Sequence, residues 1–113
     1  MITMYGISNC DTIKKAKKWL EENKVEYLFH DYKKLGIEKE KLEIWCNELG
    51  YENVINRRGT TWRKLPETDR ENLDQESAIT IMLAQPSIIK RPVLENDKKL
   101  LLGFSPESYK TLI

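Results

Sequence analysis

The sequence has few residues that could cross-link it or bind a metal: two cysteines, Cys10 and Cys46, and one histidine, His30. The cysteines are not spaced as CxxC and are too few for a disulfide framework. The three side chains show no metal-ligand spacing, so we predict no metal site. Cysteines without disulfide partners are typical of reducing compartments, and we expect a cytoplasmic location.

The chain also lacks a long apolar run, a dominant sign of charge and a glycine-rich phosphate loop. No apolar run approaches the ~20 residues that span a bilayer, and the N-terminus has the pattern of a strand rather than of a signal peptide. With 19 basic and 18 acidic residues the net charge is +1, which is no global signature of nucleic-acid binding. We therefore expect a monomer of one domain, with no membrane and no direct nucleic-acid partner.

The most informative stretch lies at the N-terminus, where the short apolar run at residues 2–5 predicts a strand. After Gly6 and a polar loop, Asp11 and Thr12 precede apolar residues at helical spacing, so we expect a helix to start there. Cys10 then lies at or next to the first turn of that helix.

This position favours a reactive thiol at Cys10. The first N–H groups of a helix have no partner inside the helix, and the macrodipole adds partial positive charge, so a thiolate is stabilised relative to the thiol. Helix N-termini and nearby cations lower a cysteine pKa from ~8.5 by several units. The alternative is that Cys10 only fills space in the core, although the polar loop at residues 8–12 argues against it. Cys46, on the apolar stripe of a later helix, is interpreted as a core residue.

The two ends of the chain predict the sheet. Residues 25–32 alternate as a second strand, and a strand, a helix and a strand in so few residues form a βαβ unit with parallel strands. Apolar runs on both sides of Asn96 and Asp97 predict a β-hairpin over residues 87–104. Ser105 is the expected N-cap of a final helix.

The middle of the chain has a helical pattern. In chain order we expect a turn at 33–37, a helix at 38–49, a loop at 53–65, a short helix or turn at 66–73 and a helix from Asp74 or Gln75 to 85. The whole order predicts an α/β fold: a thioredoxin-like core with a mixed four-stranded sheet, in a single domain over residues 1–113 with a helical insertion at about 36–86.

A thiolate nucleophile also needs a cation near the charge that develops. Arg91, just before Pro92, is the candidate cation, because arginine stays charged and can grip an oxyanion with two N–H groups. Arg57 or Arg58 would add a contact, unless this run is only a solvated basic loop. A cis Arg91–Pro92 bond would turn the start of the third strand toward Cys10.

The thiol has no resolving partner nearby in the sequence. Ile13 stands three residues after Cys10, where a CxxC motif would have its second cysteine. Because Cys46 is expected in the core, an adduct formed at Cys10 would need an external thiol such as glutathione.

Five motifs of the chain resemble the arsenate reductase (ArsC)/Spx superfamily, and within it the YffB branch of small reductases. In chain order they are GISNCDT, KKAKKWL, NRRGTTWRKL, KRPVL and LLGFSPE. The resemblance runs nearly end to end and implies a thioredoxin-like core with a helical insertion. It implies that Cys10 is the catalytic cysteine and that Arg91, ahead of the family's cis-proline, binds the oxyanion. The substrate-binding residues that we expect beside this pair are Asn9, Thr12, Arg57, Arg58 and Pro92.

The sequence also departs from its relatives. Phe104 stands where the arsenate reductases carry a further anion-binding arginine, and Asn56 where they carry another in the loop. The resemblance therefore implies a glutathione-dependent thiol reductase, acting on a small oxyanion or a glutathione mixed disulfide, with glutathione or glutaredoxin as partner and no bound cofactor. The alternatives are a Spx-like protein that docks on the C-terminal domain of the RNA polymerase α-subunit without catalysis, and a fold in which Cys10 is vestigial.

Overall fold

The computed structural model describes residues 2–97 and 99–113. The chain forms two compact units: Met1–Leu35 with Arg91–Ile113, and Gly36–Lys90. The first unit contains the sheet, and the second consists mainly of helices. That the chain acts as a single domain stays a prediction.

The sheet of the first unit has four strands in the order β2-β1-β3-β4: β1 (Ile2–Gly6), β2 (Tyr27–Asp31), β3 (Val93–Asn96) and β4 (Lys99–Leu102). β1 lies parallel to β2 and antiparallel to β3, and β3 lies antiparallel to β4. Helix α1 (Asp11–Glu22) connects the two parallel strands. The predicted mixed four-stranded sheet and the thioredoxin-like α/β fold are confirmed.

The core of the first unit lies between the sheet and α1. Apolar side chains of both elements are buried there together with Tyr109: Ile2, Met4, Leu94, Ile13, Ala16 and Leu20. Gly6 allows this packing at the end of β1, because a Cβ atom at Gly6 would collide with the Ile13 side chain. The short polar loop that follows Gly6 therefore leads directly into α1 and brings Cys10 to the first turn.

Two boundaries in the first unit differ from the prediction. β2 is shorter than the predicted strand at 25–32, and Tyr32 begins helix α2 (Tyr32–Leu35) where a turn was expected at 33–37. The final helix, α8 (Pro106–Tyr109), starts as predicted, because the Ser105 hydroxyl accepts a hydrogen bond from the Ser108 N–H.

The second unit contains five helices among its residues: α3 (Lys39–Leu49), α4 (Tyr51–Val54), α5 (Thr60–Arg63), α6 (Glu67–Glu71) and α7 (Gln75–Ala84). Asp74 caps α7, because its carboxylate accepts a hydrogen bond from the Ser77 N–H at 2.8 Å. The loop that we expected at residues 53–65 is wrong in part, since α4 and α5 overlap it. Each has only four residues, too few for a helical period to show in the sequence.

The third strand starts within one residue of Pro92, where it was expected, but the first residues of the predicted hairpin segment at 87–104 are not part of the sheet. Residues Pro86–Ile88 form a 3₁₀ turn, and the strand starts only at Val93. The apolar pair Ile88 and Ile89 lies instead against the α4 segment: the Asn56 N–H donates to the Ile88 carbonyl at 2.7 Å. The predicted turn residues Asn96 and Asp97 end β3 and enter the turn, and Lys98 lies outside the described residues.

Within the described ranges, 2–97 and 99–113, no helix is long and apolar enough to cross a membrane.

Candidate active site

The site lies at the edge of the sheet where β1 and β2 end and β3 begins. Gly6 at the end of β1 pairs with Asp31 at the end of β2, and Tyr5 pairs with Val93 at the start of β3. Residues that follow β1 and β2 therefore meet the residues that precede β3. This register brings together three side chains from distant parts of the first unit: Cys10, Tyr32 and Arg91.

Cys10 is the N-cap residue of α1. It has extended backbone angles, φ −142° and ψ 131°, and its carbonyl accepts a hydrogen bond from the Lys14 N–H at 3.0 Å. The side chain is half-buried and packs against the core. Its thiol lies at the start of the helix, within reach of the N–H groups of Thr12 and Ile13.

The pKa of the Cys10 thiol lies below its ordinary value. Burial raises this pKa, but a hydrogen bond from the Arg91 side chain, the N–H groups of Ile13 and Thr12, and the positive charge of Arg91 together lower it. The helix start and the arginine that the sequence pointed to both act in the expected direction. The arrangement shifts the thiol toward its thiolate form.

Arg91 lies beside the thiol because of how the chain enters β3. The Arg91–Pro92 peptide bond is cis, and the Pro92 carbonyl accepts a hydrogen bond from the Gly103 N–H at 2.8 Å, which ties it to the end of β4. Arg91 is half-buried, and its guanidinium donates hydrogen bonds to both Cys10 and Tyr32. Pro92 itself is buried.

Tyr32 is a residue of the site whose contact with Arg91 the sequence did not predict. It is 0% exposed although its ring carries a hydroxyl. Burial raises the pKa of this hydroxyl, and the positive charge and hydrogen bond of Arg91 oppose the rise only in part, so the phenol is neutral. Nothing in the sequence relates Tyr32 to Arg91, because the contact depends on the register of three strands.

Asp31 is the second residue that sequence analysis missed. Its buried carboxylate accepts hydrogen bonds from the N–H groups of Lys33 at 3.0 Å and Lys34 at 3.3 Å, at the start of α2. It also accepts from the Ser8 N–H at 3.4 Å, in the loop before Cys10. One side chain therefore joins the cysteine loop to the end of β2. A capping aspartate with a helix of one turn behind it leaves too weak a pattern to be recognised.

The other predicted substrate-binding residues lie in different places. Asn9 is exposed in the loop before Cys10, and Thr12 is half-buried in the first turn of α1. Arg57 and Arg58 belong to the second unit, where both are exposed and line a polar cavity of about 480 Å³ with Lys90. The structure thus brings Cys10, Arg91 and Pro92 together in the first unit, and the two loop arginines together in the second.

Cys46 differs from Cys10 in every respect that controls reactivity. It is 2% exposed on α3, and burial, with the negative charge of Glu52 nearby, raises the pKa of its thiol to about 11. This agrees with its interpretation as a core residue. In the part of the chain that the structure describes, no group of three or more His, Cys, Asp or Glu side chains could hold a metal ion.

These features define a class of protein. A thioredoxin-like sheet presents one thiol at a helix start, with an arginine beside it, and such a thiolate can attack a disulfide or an electrophilic oxyanion. The fold is that of an arsenate reductase-like α/β protein. More particularly, the chain belongs to the ArsC family, whose sequence model matches residues 5–112.

Individual relatives agree with this family. An uncharacterized protein of Haemophilus influenzae is 41% identical over 110 residues, which cover 97% of this chain and 96% of the relative. The solved structure of the YFFB protein is 54% identical, with a TM-score of 0.95 over 98% of this chain and 97% of that one. The global transcriptional regulator Spx of Staphylococcus epidermidis is 26% identical over 117 residues, 100% of this chain and 87% of the regulator.

Proposed function

We propose that the protein is a glutathione-dependent thiol reductase that uses Cys10 as its nucleophile. The observation that carries the proposal is the hydrogen bond between Arg91 and the Cys10 thiol, with the accompanying fall of the thiol pKa. The substrate is a glutathione mixed disulfide or a small oxyanion. Glutathione, free or delivered through glutaredoxin, is the electron donor, which fits a reducing cytoplasmic setting.

The reaction with a mixed disulfide R–S–S–G proceeds in two exchanges. The Cys10 thiolate attacks the glutathione sulfur, a Cys10–S–S–G bond forms, and R–S⁻ leaves and takes a proton from water. The thiolate of a free glutathione then attacks the glutathione sulfur of that adduct and releases glutathione disulfide and the Cys10 thiolate. The net result is that R–S–S–G is reduced to R–SH, while one free glutathione and the glutathionyl group of the substrate form one glutathione disulfide.

The residues of the site have distinct roles in this reaction. Arg91 stabilises the Cys10 thiolate as attacking and as leaving group, and its N–H groups meet a negative charge on the substrate. We further propose that Asn9, Thr12 and Pro92 contact the substrate, and that Arg57 and Arg58 bind an anion within the second unit. No second cysteine in a CxxC arrangement resolves the adduct, so the external thiol is required.

The experiment is a reduction assay with glutathione and a glutathionylated peptide, followed by the formation of glutathione disulfide, with arsenate as a second substrate arm. We expect activity in the wild type and in Cys46→Ser, and none above the uncatalysed rate in Cys10→Ser. Cys46→Ser is the matched control because it removes the other thiol of the same chain. Activity that survives in Cys10→Ser, or a wild type no faster than free glutathione with either substrate, would overturn the proposal.

A second candidate function follows from the similarity to Spx over the full length of this chain. In this alternative the protein docks on the C-terminal domain of the RNA polymerase α-subunit and does not catalyse a reaction. Purified protein would then retain that domain in a pull-down, in wild type and Cys10→Ser alike. Failure to retain it would remove this candidate and leave the reductase.

A further inference from the structure

We propose that Tyr32 is a positioning residue that fixes the Arg91 guanidinium against the Cys10 thiolate. The proposal depends on the proposed reductase function only in one respect, namely that the thiolate serves as the nucleophile of that reaction. The arrangement of the three side chains itself can be tested by titrating the thiol, without any turnover.

The backbone of Tyr32 is held in place by the elements around it. Tyr32 follows directly on β2, where Asp31 pairs with Gly6 of the central strand β1. The Asp31 carboxylate then accepts the N–H groups of Lys33 and Lys34, which fixes the first turn of α2. With its side chain fully buried, the Tyr32 ring has little freedom to move.

Arg91 needs such a fixed neighbour. An arginine side chain has several rotatable bonds, and ordering it costs up to about 2 kcal/mol of conformational entropy. A guanidinium cannot accept hydrogen bonds, so the oxygen of Tyr32 must be the acceptor in the Arg91–Tyr32 hydrogen bond. With one N–H group held by the phenol, the planar guanidinium directs another toward the Cys10 sulfur.

The chemistry of tyrosine suits this task. A carboxylate at the same place would pair with Arg91 by charge and compete with the thiolate, and its own charge would raise the Cys10 pKa. The buried phenol stays neutral, so it orients the arginine and leaves the positive charge to the thiolate. The hydrogen bond uses the acceptor capacity of the buried hydroxyl oxygen.

The test compares Tyr32→Phe with wild type by the pH dependence of Cys10 alkylation, in a Cys46→Ser background so that one thiol reports. We expect the Cys10 pKa to rise, so that alkylation near pH ~6, below the range of an ordinary thiol, slows several-fold. In an Arg91→Ala background Tyr32→Phe should cause no further rise, because the group that it positions is gone.

Tyr109→Phe is the matched control. Tyr109 is equally buried in the same unit, and its hydroxyl has no hydrogen-bond partner among the described residues, so its loss should leave the Cys10 pKa unchanged. A folded Tyr32→Phe with the wild-type Cys10 pKa would overturn the proposal, as would an equal rise in the Arg91→Ala background.

If Tyr32→Phe does not fold, the wild type alone can be measured by NMR of the Arg91 guanidinium. Separate signals for its terminal nitrogens would show restricted rotation and support the proposal. A single averaged signal would show a freely rotating side chain and overturn it. None of these outcomes depends on reductase activity, so failure of the positioning role and failure of the reductase function are distinguishable.

Discussion

At Cys10 two opposing effects act on the thiol pKa. Burial raises it, whereas the Arg91 hydrogen bond, the N–H groups at the start of α1 and the Arg91 charge lower it, and the lowering effects win. The balance explains how a half-buried cysteine can still have a lowered pKa. It also makes Arg91 the residue whose removal should change the thiol most.

We therefore expect Arg91→Ala to raise the Cys10 pKa and to shift the pH profile of alkylation to higher pH. A charge-assisted hydrogen bond contributes about 1.5–3 kcal/mol, so the affinity for an anionic substrate should fall about tenfold to a hundredfold. Thiol titration and substrate-saturation curves measure the two effects. Lys18→Ala is the control, because it removes a positive charge from the exposed face of the same helix. An unchanged Cys10 pKa in Arg91→Ala would contradict the prediction.

Two residues of the site could be predicted from the sequence. Cys10 could be recognised from its place between a strand and a helix, and Arg91 from its place before Pro92. Tyr32 and Asp31 could not, because their importance depends on contacts made across the sheet. A single sequence shows which residues are neighbours along the chain, and it shows partners across strands only where a motif marks them.

Between elements, Asp31 connects the end of β2, the start of α2 and the loop before Cys10. Burial raises the pKa of its carboxyl. Hydrogen bonds lower this pKa by more than burial raises it, so the pKa lies below its ordinary value; the donors are the N–H groups of Lys34, Ser8 and Lys33 and the Ser8 hydroxyl. A folded-state pKa below the unfolded value stabilises the fold above the unfolded pKa. That stabilisation is lost as the pH falls through the folded-state pKa.

We expect Asp31→Asn to lower the free energy of unfolding by about 1.5–3 kcal/mol near neutral pH. Below about pH 4 the unfolded-state carboxyl becomes protonated, so the difference from wild type should begin to shrink and should vanish once the pH falls below the lower folded-state pKa. Urea denaturation at both pH values measures this. The control is Asp97→Asn, since Asp97 is exposed in a turn at φ 54°, a conformation that asparagine also adopts. A loss in Asp31→Asn that does not depend on pH would argue against a charged hydrogen-bonding role.

Long helices could be predicted from the sequence, whereas helices of a single turn could not. α1 and α3 each have an apolar stripe over several turns, and both were predicted within a residue or two. The one-turn helices α2, α4 and α5 were not, because four residues do not complete a recognisable period. Ile88 and Ile89 look like strand residues, but their burial in the second unit satisfies the same apolar pattern without a sheet.

For the molecule as a whole, the thiol chemistry involves one cysteine. Cys10 has a lowered pKa beside an arginine, and Cys46 is buried with its thiol pKa raised to about 11. At any pH the first therefore has the larger thiolate fraction. The protein therefore should not behave as a dithiol redox switch.

We expect glutathione disulfide to form one mixed disulfide per chain, at Cys10, with no disulfide inside the chain. Intact mass measurement followed by peptide mapping under non-reducing conditions locates the adduct, and Cys10→Ser should take up none. Reduced glutathione should then remove the adduct completely. A disulfide between Cys10 and Cys46 would contradict the single-thiol prediction.

The order in which the sheet is built from the chain also governs when the thiol becomes reactive during protein synthesis. β1, α1 and β2 are neighbours in sequence, whereas Arg91 arrives only with β3, after the entire second unit has been translated. Pairing of β1 with β3 joins distant segments and carries a larger loop-closure cost than pairing of β1 with β2. A nascent chain on the ribosome consequently carries Cys10 without its arginine, as a less acidic thiol. The lowered pKa of Cys10 is therefore expected only after β3 has joined the sheet, near the end of synthesis and folding.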